Sequence, residues 1–221
     1  MIMPFIRNHQ YNLIRKQVNW LQSTIRTAVD QHIVESVRTD VYMKVMEAFE
    51  DANPEQRNIL EPIAELQHAE QCQHYVQSLE PYREAFPSLA RKQLQQLFPK
   101  VKKLQVPDLS KLDLRAVTYL GWDDTAANRL FLVYPLDGQL VGIAGRYTPS
   151  NKGTCFLCYR QEHVALFSAI QRRKPPKHAS PDYYKAIGNY MCVDSMACNH
   201  NLTDTDKLEW FFREVAGTPR R

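Results

Sequence analysis

Apolar residues in the first half of the chain recur at the spacing of amphipathic helices. Residues at steps of three and four share one face of a helix, so each such run predicts a helix that buries that face. Two runs precede residue 50, with a polar break near residues 30–32 between them. The first run is Ile14, Val18, Leu21, Ile25 and Val29, and the second is Val34, Val37, Val41, Val45 and Phe49.

Two further helices are predicted before residue 105. Asn53 is a favourable N-cap and Pro54 suits the first helical position, so a third helix begins there. Pro62 should kink or restart this helix, because proline removes a backbone donor. Ser88 can cap a fourth helix, whose apolar residues are Leu89, Leu94, Leu97 and Phe98. Amphipathic helices joined by short loops predict a small four-helix bundle.

The distribution of glycine divides the chain. All seven glycines lie at Gly121 or beyond. Glycine destabilises helix interiors but suits turns, which predicts a helical domain over residues 1–105 and a β-containing domain over 106–221. The expected fold class is therefore α+β, with an N-terminal helical bundle followed by a C-terminal α/β lobe.

Strand-forming residues in the second domain agree with this division. Runs over 116–120, 129–134 and 140–143 favour strands, and the Asp137-Gly138 turn signal predicts that the last two form a hairpin. A terminal helix is predicted after Asn199.

Composition and charge narrow the class of protein. A hydrophobic content of 44% is enough to form a core and excludes wholesale disorder. The net charge of +4 suits an acidic protein partner or a nucleic acid without selecting between them. No apolar stretch approaches the roughly 18 residues of a membrane span, or the roughly 7–15 residues that a secretion signal needs near the N-terminus. We therefore expect a cytoplasmic protein with no membrane contact, whose thiols stay reduced.

Four of the five cysteines form two close pairs, Cys155 with Cys158 and Cys192 with Cys198. Two such pairs, separated by an intervening segment, predict a tetrahedral zinc site. A knuckle, a strand and then a helix is the order of a treble-clef zinc finger. Four thiolates leave no open coordination position, so one structural Zn²⁺ is expected, and the protein is not expected to be an enzyme.

The sequence leaves open the identity of the fourth zinc ligand and the role of two basic clusters. His163 or His200 could replace one cysteine, because imidazole also binds zinc. The basic clusters at residues 100–103 and 172–174 fit contacts with phosphate or with an acidic protein surface. They equally fit a helix C-terminus and a solvated loop, the latter spanning residues 171–182.

Aromatic residues are dense near the second cysteine pair. On the predicted terminal helix, Leu208 and Phe212 share one face, so Trp210 or Phe211 must point elsewhere. An exposed aromatic side chain of this kind is a favoured anchor in protein interfaces.

Several motifs together resemble the elongation factor G-binding proteins, which include the FusB-type fusidic-acid-resistance proteins. They are GWDDTAANR at residues 121–129, the CxxC pair at 155–158 and YMCVDSMACN at 190–199. The resemblance runs through nearly the whole chain. It implies a helical bundle, a four-cysteine treble clef and binding to the C-terminal domains of elongation factor G. Binding would free the factor from ribosomes on which fusidic acid has stalled it, without degrading the antibiotic.

The resemblance also implies where the partner binds. Tyr190 and Phe211 match positions at which the family presents aromatic contacts, and Trp210 and Lys185 complete the expected set. Under this hypothesis, Phe211→Ala should weaken partner binding without unfolding the lobe. The chain departs from its relatives at Thr154, where an aromatic residue is common, and at Ala186 and Ile187, where lysines are common.

The leading hypothesis is therefore a monomeric, non-enzymatic protein that binds elongation factor G and promotes its release from the ribosome. The alternative is a zinc-containing RNA- or ribosome-binding protein that contacts ribosomal RNA through its basic loop.

Overall fold

The computed structural model describes residues 3–173, 176–180 and 182–218. Two compact units make up the chain, Met1–Glu84 and Ala85–Arg221. Among the described residues, no helix combines the length and the apolar character that crossing a membrane requires.

The first unit is a helical bundle. Its α-helices are α1 (Asn8–Thr27), α2 (Gln31–Glu47), α3 (Pro54–Leu60) and α4 (Ala69–Ser78). Helix α1 packs against α2 and α4. The predicted apolar faces form its core, which includes Ile14, Val18, Leu21, Val34, Val37, Val41, Val45 and Phe49.

The helix boundaries in this unit follow from local capping. The Asp30 side chain accepts a hydrogen bond from the His32 backbone N–H at 2.9 Å and so begins α2. Because α1 ends at Thr27, Val29 lies beyond the helix and is fully exposed, so its predicted place on the apolar face is wrong. Helix α3 ends at Leu60, and the chain continues as a 3₁₀ helix, Glu61–Glu65, that contains Pro62, as expected for a proline that interrupts an α-helix.

In its described residues, the second unit consists of a five-stranded antiparallel sheet with three α-helices and short 3₁₀ turns. In chain order its elements are α5 (Arg91–Leu97), β1 (Leu120–Asp124), β2 (Arg129–Leu136), β3 (Gln139–Thr154), β4 (Gln161–Ile170), β5 (Ala186–Cys192), α6 (Ser195–Asn201) and α7 (Asp206–Ala216). The strands pair in sequence order. The α+β fold class is therefore confirmed.

At β2 both faces of this sheet are covered, which explains the continuous apolar run of that strand. Leu130, Leu132 and Tyr134 lie in one core with the four clustered cysteines and α7. Phe131 and Val133 point to the opposite face and lie in a second core. A strand buried on both faces cannot alternate between apolar and polar residues.

The second of these cores includes residues that the sequence placed in the helical domain. The Phe98 ring centroid lies 5.1 Å from that of Phe131 and 5.7 Å from that of Trp122. Residues 85–105 consequently belong to the second unit, and the units divide after Glu84 rather than after residue 105. The periodicity of α5 defines an apolar face but does not state which core receives it.

The first strand also differs from its predicted position. Residues 116–119 precede the sheet, and β1 runs from Leu120 to Asp124. The β2–β3 hairpin is confirmed. Asp137 and Gly138 both have positive φ values, 50° and 76°, as a tight hairpin turn requires.

Candidate metal centre and the aromatic surface around it

Three parts of the second unit bring the four cysteines together. Cys155 directly follows β3, and Cys158 lies in the turn after it. Cys192 ends β5, and Cys198 lies in α6. The turn is closed by two backbone hydrogen bonds, from the Tyr159 N–H to the Cys155 carbonyl and from the Cys155 N–H to the Arg160 carbonyl, both at 3.0 Å.

The spacing of the sulfur atoms fits a tetrahedral zinc ion. The four Sγ atoms all lie within 4.8 Å of one another, and all four residues are buried. Cys155 Sγ lies 3.8 Å from Cys198 Sγ, and Cys158 Sγ lies 3.6 Å from Cys192 Sγ. Zn–S bonds of about 2.3 Å in a tetrahedron place the sulfur atoms about 3.8 Å apart, whereas a disulfide would need about 2.05 Å. The site therefore suits one four-coordinate Zn²⁺ and not a pair of disulfides.

The electrostatics of the cluster also call for a cation. Hydrogen bonds from the Cys158, Cys192 and Cys198 thiols hold the pKa of Cys155 below its ordinary value. Hydrogen bonding to Cys155, Cys158 and Cys192, together with burial, holds the pKa of Cys198 above its ordinary value. The hydrogen bond with Cys155 opposes ionisation of Cys158, but those with Cys192 and Cys198 outweigh it and hold the pKa of Cys158 below its ordinary value. Hydrogen bonding to Cys155 and Cys158 holds the pKa of Cys192 above its ordinary value. Two of the thiols therefore ionise readily and the other two resist ionisation. Zn²⁺ removes the conflict, since it binds all four cysteines as thiolates.

The four sulfur atoms complete the coordination shell, so no histidine ligand is needed. His163 in β4 and His200 in α6 are both exposed. A closed four-thiolate shell leaves no position for water or substrate, which gives the zinc a structural role.

The residues predicted to contact a partner separate into exposed and buried groups. Tyr190 is 49% exposed, Lys185 is exposed and Trp210 is half-buried. Phe211 is 0% exposed, and its ring centroid lies 5.6 Å from that of Phe167 inside the core. The expectation that Phe211 presents a surface contact is therefore wrong, because α7 turns its Leu208–Phe211–Phe212 face onto the sheet.

Sequence reasoning missed three residues that extend the exposed aromatic group. The Lys207 ammonium lies 5.0 Å from the Phe156 ring centroid and 4.3 Å from that of Tyr159. The Phe156 ring makes an edge contact with Trp210 at 5.9 Å, and its backbone N–H donates to the Tyr190 carbonyl at 2.8 Å. We call these five residues (Phe156, Tyr159, Tyr190, Lys207 and Trp210) the knuckle surface. The nearness of Phe156 and Tyr159 to the CxxC pair was the available signal, although the spacing does not distinguish them from Leu157, which lies in the same knuckle and is buried.

The basic clusters lie apart from the metal ligands in sequence and are only partly described. Residues 100–103 follow α5, and Arg172 donates a 2.6 Å hydrogen bond to the Gly142 carbonyl. Lys174, Pro175 and Pro181, which belong to the predicted basic loop, lie outside the described residues.

A knuckle after β3, a strand ending in the third cysteine and a helix carrying the fourth together form a treble-clef zinc finger. Residues 94–216 match the family described as the FBP C-terminal treble-clef zinc-finger, and residues 5–87 match the N-terminal domain of the elongation factor G-binding proteins. The chain therefore belongs to the elongation factor G-binding protein family.

A solved structure agrees with this family over nearly the full chain. The structure described as that of the fusidic acid resistance protein FusC is 28% identical in sequence and has a TM-score of 0.78. The similarity covers 96% of this chain and 98% of FusC. No match to the chain is found among the curated proteins.

We expect Cys155→Ser to release the zinc, because a serine hydroxyl does not replace a thiolate ligand. The zinc content, measured by atomic emission, should fall from one equivalent to near zero, while the helical unit keeps its helical circular dichroism. Cys72→Ser is the matched control, since Cys72 is a buried cysteine of the helical unit. Full zinc occupancy in Cys155→Ser would contradict the ligand assignment.

Phe211→Ala should destabilise the second unit. Truncation of a fully buried phenylalanine costs about 3–5 kcal/mol, which is a large part of a typical domain stability. Thermal unfolding should show a markedly lower midpoint, whereas the exposed Tyr190→Ala should unfold close to the wild-type temperature. An unchanged midpoint for Phe211→Ala would show that its ring does not belong to the core.

Proposed function

We propose that this protein binds elongation factor G and promotes its release from the ribosome, and that it thereby protects translation against stalling by fusidic acid. The observation that carries the proposal is the match of both units to one family of elongation factor G-binding proteins. The likeness to a fusidic acid resistance protein over 96% of the chain supports the link to resistance.

The knuckle surface is the proposed contact site within the second unit. Tyr159 is 52% exposed and Tyr190 is 49% exposed, and the backbone of each is fixed by a hydrogen bond within or to the knuckle. Aromatic side chains held in place on a rigid support lose little entropy on binding and are enriched at interface hot spots. Lys207 stacks on two of the rings and adds a positive charge, which suits a partner surface with apolar pockets and an acidic rim.

Zinc supports this surface without taking part in binding. Phe156 and Tyr159 lie inside or next to the knuckle that Cys155 and Cys158 anchor, and the backbone of Tyr190 is bonded to that knuckle. Loss of the ion would therefore disorder the contact residues together with the ligands.

Release of the factor requires different affinities for two states. A protein that binds the free factor and the ribosome-stalled factor equally well shifts nothing between them. The protein must therefore bind more tightly to a conformation of the factor that the ribosome holds weakly. Such a partner would place the protein in the cytoplasm, and we propose that it acts as a monomer.

A second candidate function is contact with ribosomal RNA. Tyr183, Tyr184, Arg173 and Lys185 line a cleft of about 310 Å³ together with Ile170, Gln171 and Pro176. Exposed aromatic rings beside cationic side chains can stack on bases and contact phosphates. The salt dependence of binding separates the two candidates, because contacts with phosphate release counterions.

We expect the purified protein to form a one-to-one complex with purified elongation factor G in the absence of ribosomes. Size-exclusion chromatography with light scattering should show this complex at micromolar concentrations and should show the free protein as a monomer. Binding carried by aromatic contacts should change little between about 50 and 200 mM salt, whereas several phosphate contacts would weaken it by orders of magnitude. The absence of a complex with the factor, alongside salt-sensitive binding to ribosomal RNA, would favour the second candidate.

Tyr190→Ala should weaken binding to elongation factor G about tenfold or more, which is typical of an aromatic interface anchor. Isothermal titration calorimetry would measure the dissociation constant, with zinc content and thermal midpoint as checks on folding. Trp20→Ala is the matched control, because Trp20 is an aromatic residue of the helical unit that is 41% exposed. Equal losses for both variants, or none for Tyr190→Ala, would contradict the proposed contact site.

A further inference from the structure

Asn199 is a fully buried amide that joins α6 to the chain before β1. Its Oδ1 accepts hydrogen bonds from the backbone N–H groups of Thr118 at 2.7 Å and Tyr119 at 3.0 Å. Its Nδ2 donates to the carbonyls of Tyr119 at 2.8 Å and Ser195 at 2.9 Å. One side chain therefore holds both the N–H and the C=O of Tyr119, although the two residues are 80 positions apart in sequence.

The side chain of Tyr119 reaches the cysteine cluster. Tyr119 is 2% exposed, and its hydroxyl is hydrogen-bonded to the thiol of Cys198. A tyrosine hydroxyl carries one O–H donor, which can form a hydrogen bond to a sulfur acceptor.

A further hydrogen bond joins helix α6 to β1. The Ser195 hydroxyl donates to the Gly121 carbonyl at 2.7 Å. Any side chain at residue 121 would place its Cβ 2.9 Å from that of Ser195, so glycine permits this close approach. The attachment matters for the metal because α6 supplies only Cys198, while the other three ligands come from the knuckle and from β5.

We propose that Asn199 and Tyr119 are positioning residues of the zinc centre: Asn199 fixes the backbone of Tyr119, and the Tyr119 hydroxyl donates to the Cys198 sulfur and slows the loss of zinc. Outer hydrogen bonds of this kind orient metal ligands, and their removal typically costs about 10–100-fold in metal affinity. A donor also reduces the negative charge that four thiolates place around one ion. The proposal concerns the zinc alone and does not depend on binding to elongation factor G.

Tyr119→Phe tests the hydrogen bond directly, since it keeps the buried ring and removes only the hydroxyl. Transfer of zinc to an excess of a chromogenic chelator should be about tenfold faster than in the wild type. In protein loaded with Co²⁺ in place of zinc, the thiolate-to-metal charge-transfer bands should shift, because one sulfur has lost its donor. A purely structural role in packing would leave these bands unchanged.

Tyr134→Phe is the matched control. Tyr134 lies in the same core, but its hydroxyl donates to Glu209 Oε1 at 2.9 Å. Its zinc transfer rate and cobalt spectrum should match those of the wild type. Wild-type transfer in Tyr119→Phe, or the same change in both tyrosine variants, would overturn the role of Tyr119.

Asn199→Asp tests the hydrogen bonds between the Asn199 side chain and the backbone of Tyr119. The carboxylate keeps an acceptor for the two N–H groups but cannot donate to the carbonyls of Tyr119 and Ser195. Its zinc transfer should also be faster than in the wild type, with an altered cobalt spectrum and retained circular dichroism. A wild-type rate and spectrum in Asn199→Asp would overturn the role of Asn199, even if Tyr119→Phe behaves as expected.

Discussion

Four sulfur atoms buried within 4.8 Å of one another are the constraint on which the second unit depends. Without a cation, ionising one thiol opposes the ionisation of the others. In isolated zinc fingers, the binding of Zn²⁺ to a cluster of this kind contributes about 10–16 kcal/mol to folding. That is comparable with the whole free energy of unfolding of a typical domain, about 5–15 kcal/mol. One ion bound by these sulfur atoms would join the sheet edge at β5, the knuckle after β3 and helix α6.

The same constraint explains why the aromatic residues around the zinc can remain exposed without losing their order. Phe156 and Tyr159 project from a knuckle whose inward side is anchored by metal bonds, and Lys207 packs across both rings. A flexible loop could display the same residues only at a large cost in conformational entropy. A closed metal site, which leaves no coordination position for a substrate, would thereby support the proposed contact surface.

Residue patterns anticipated much of this architecture, and their errors have clear physical causes. The cysteine spacing, the apolar faces of α1 (apart from Val29) and α2 and the hairpin at Asp137-Gly138 were all predicted correctly. The identity of the buried aromatic on α7 was not, because helical spacing shows that Trp210 and Phe211 diverge but does not state which of them meets the sheet. The structure buries Phe211 against Phe167 and leaves Trp210 half-exposed beside the knuckle.

What could be read from the chain was local: periods of three and four, metal-ligand spacing and turns that need positive φ are all properties of a few neighbouring residues. The choice of core for α5 and the packing of Phe98 on Phe131 required the folded structure. The hydrogen bonds between the Asn199 side chain and the Tyr119 backbone also required the folded structure, since the two residues are 80 positions apart and meet only when α6 docks on β1. Such contacts depend on which faces come together, and that choice is made by burying apolar area and satisfying buried polar groups across the whole unit.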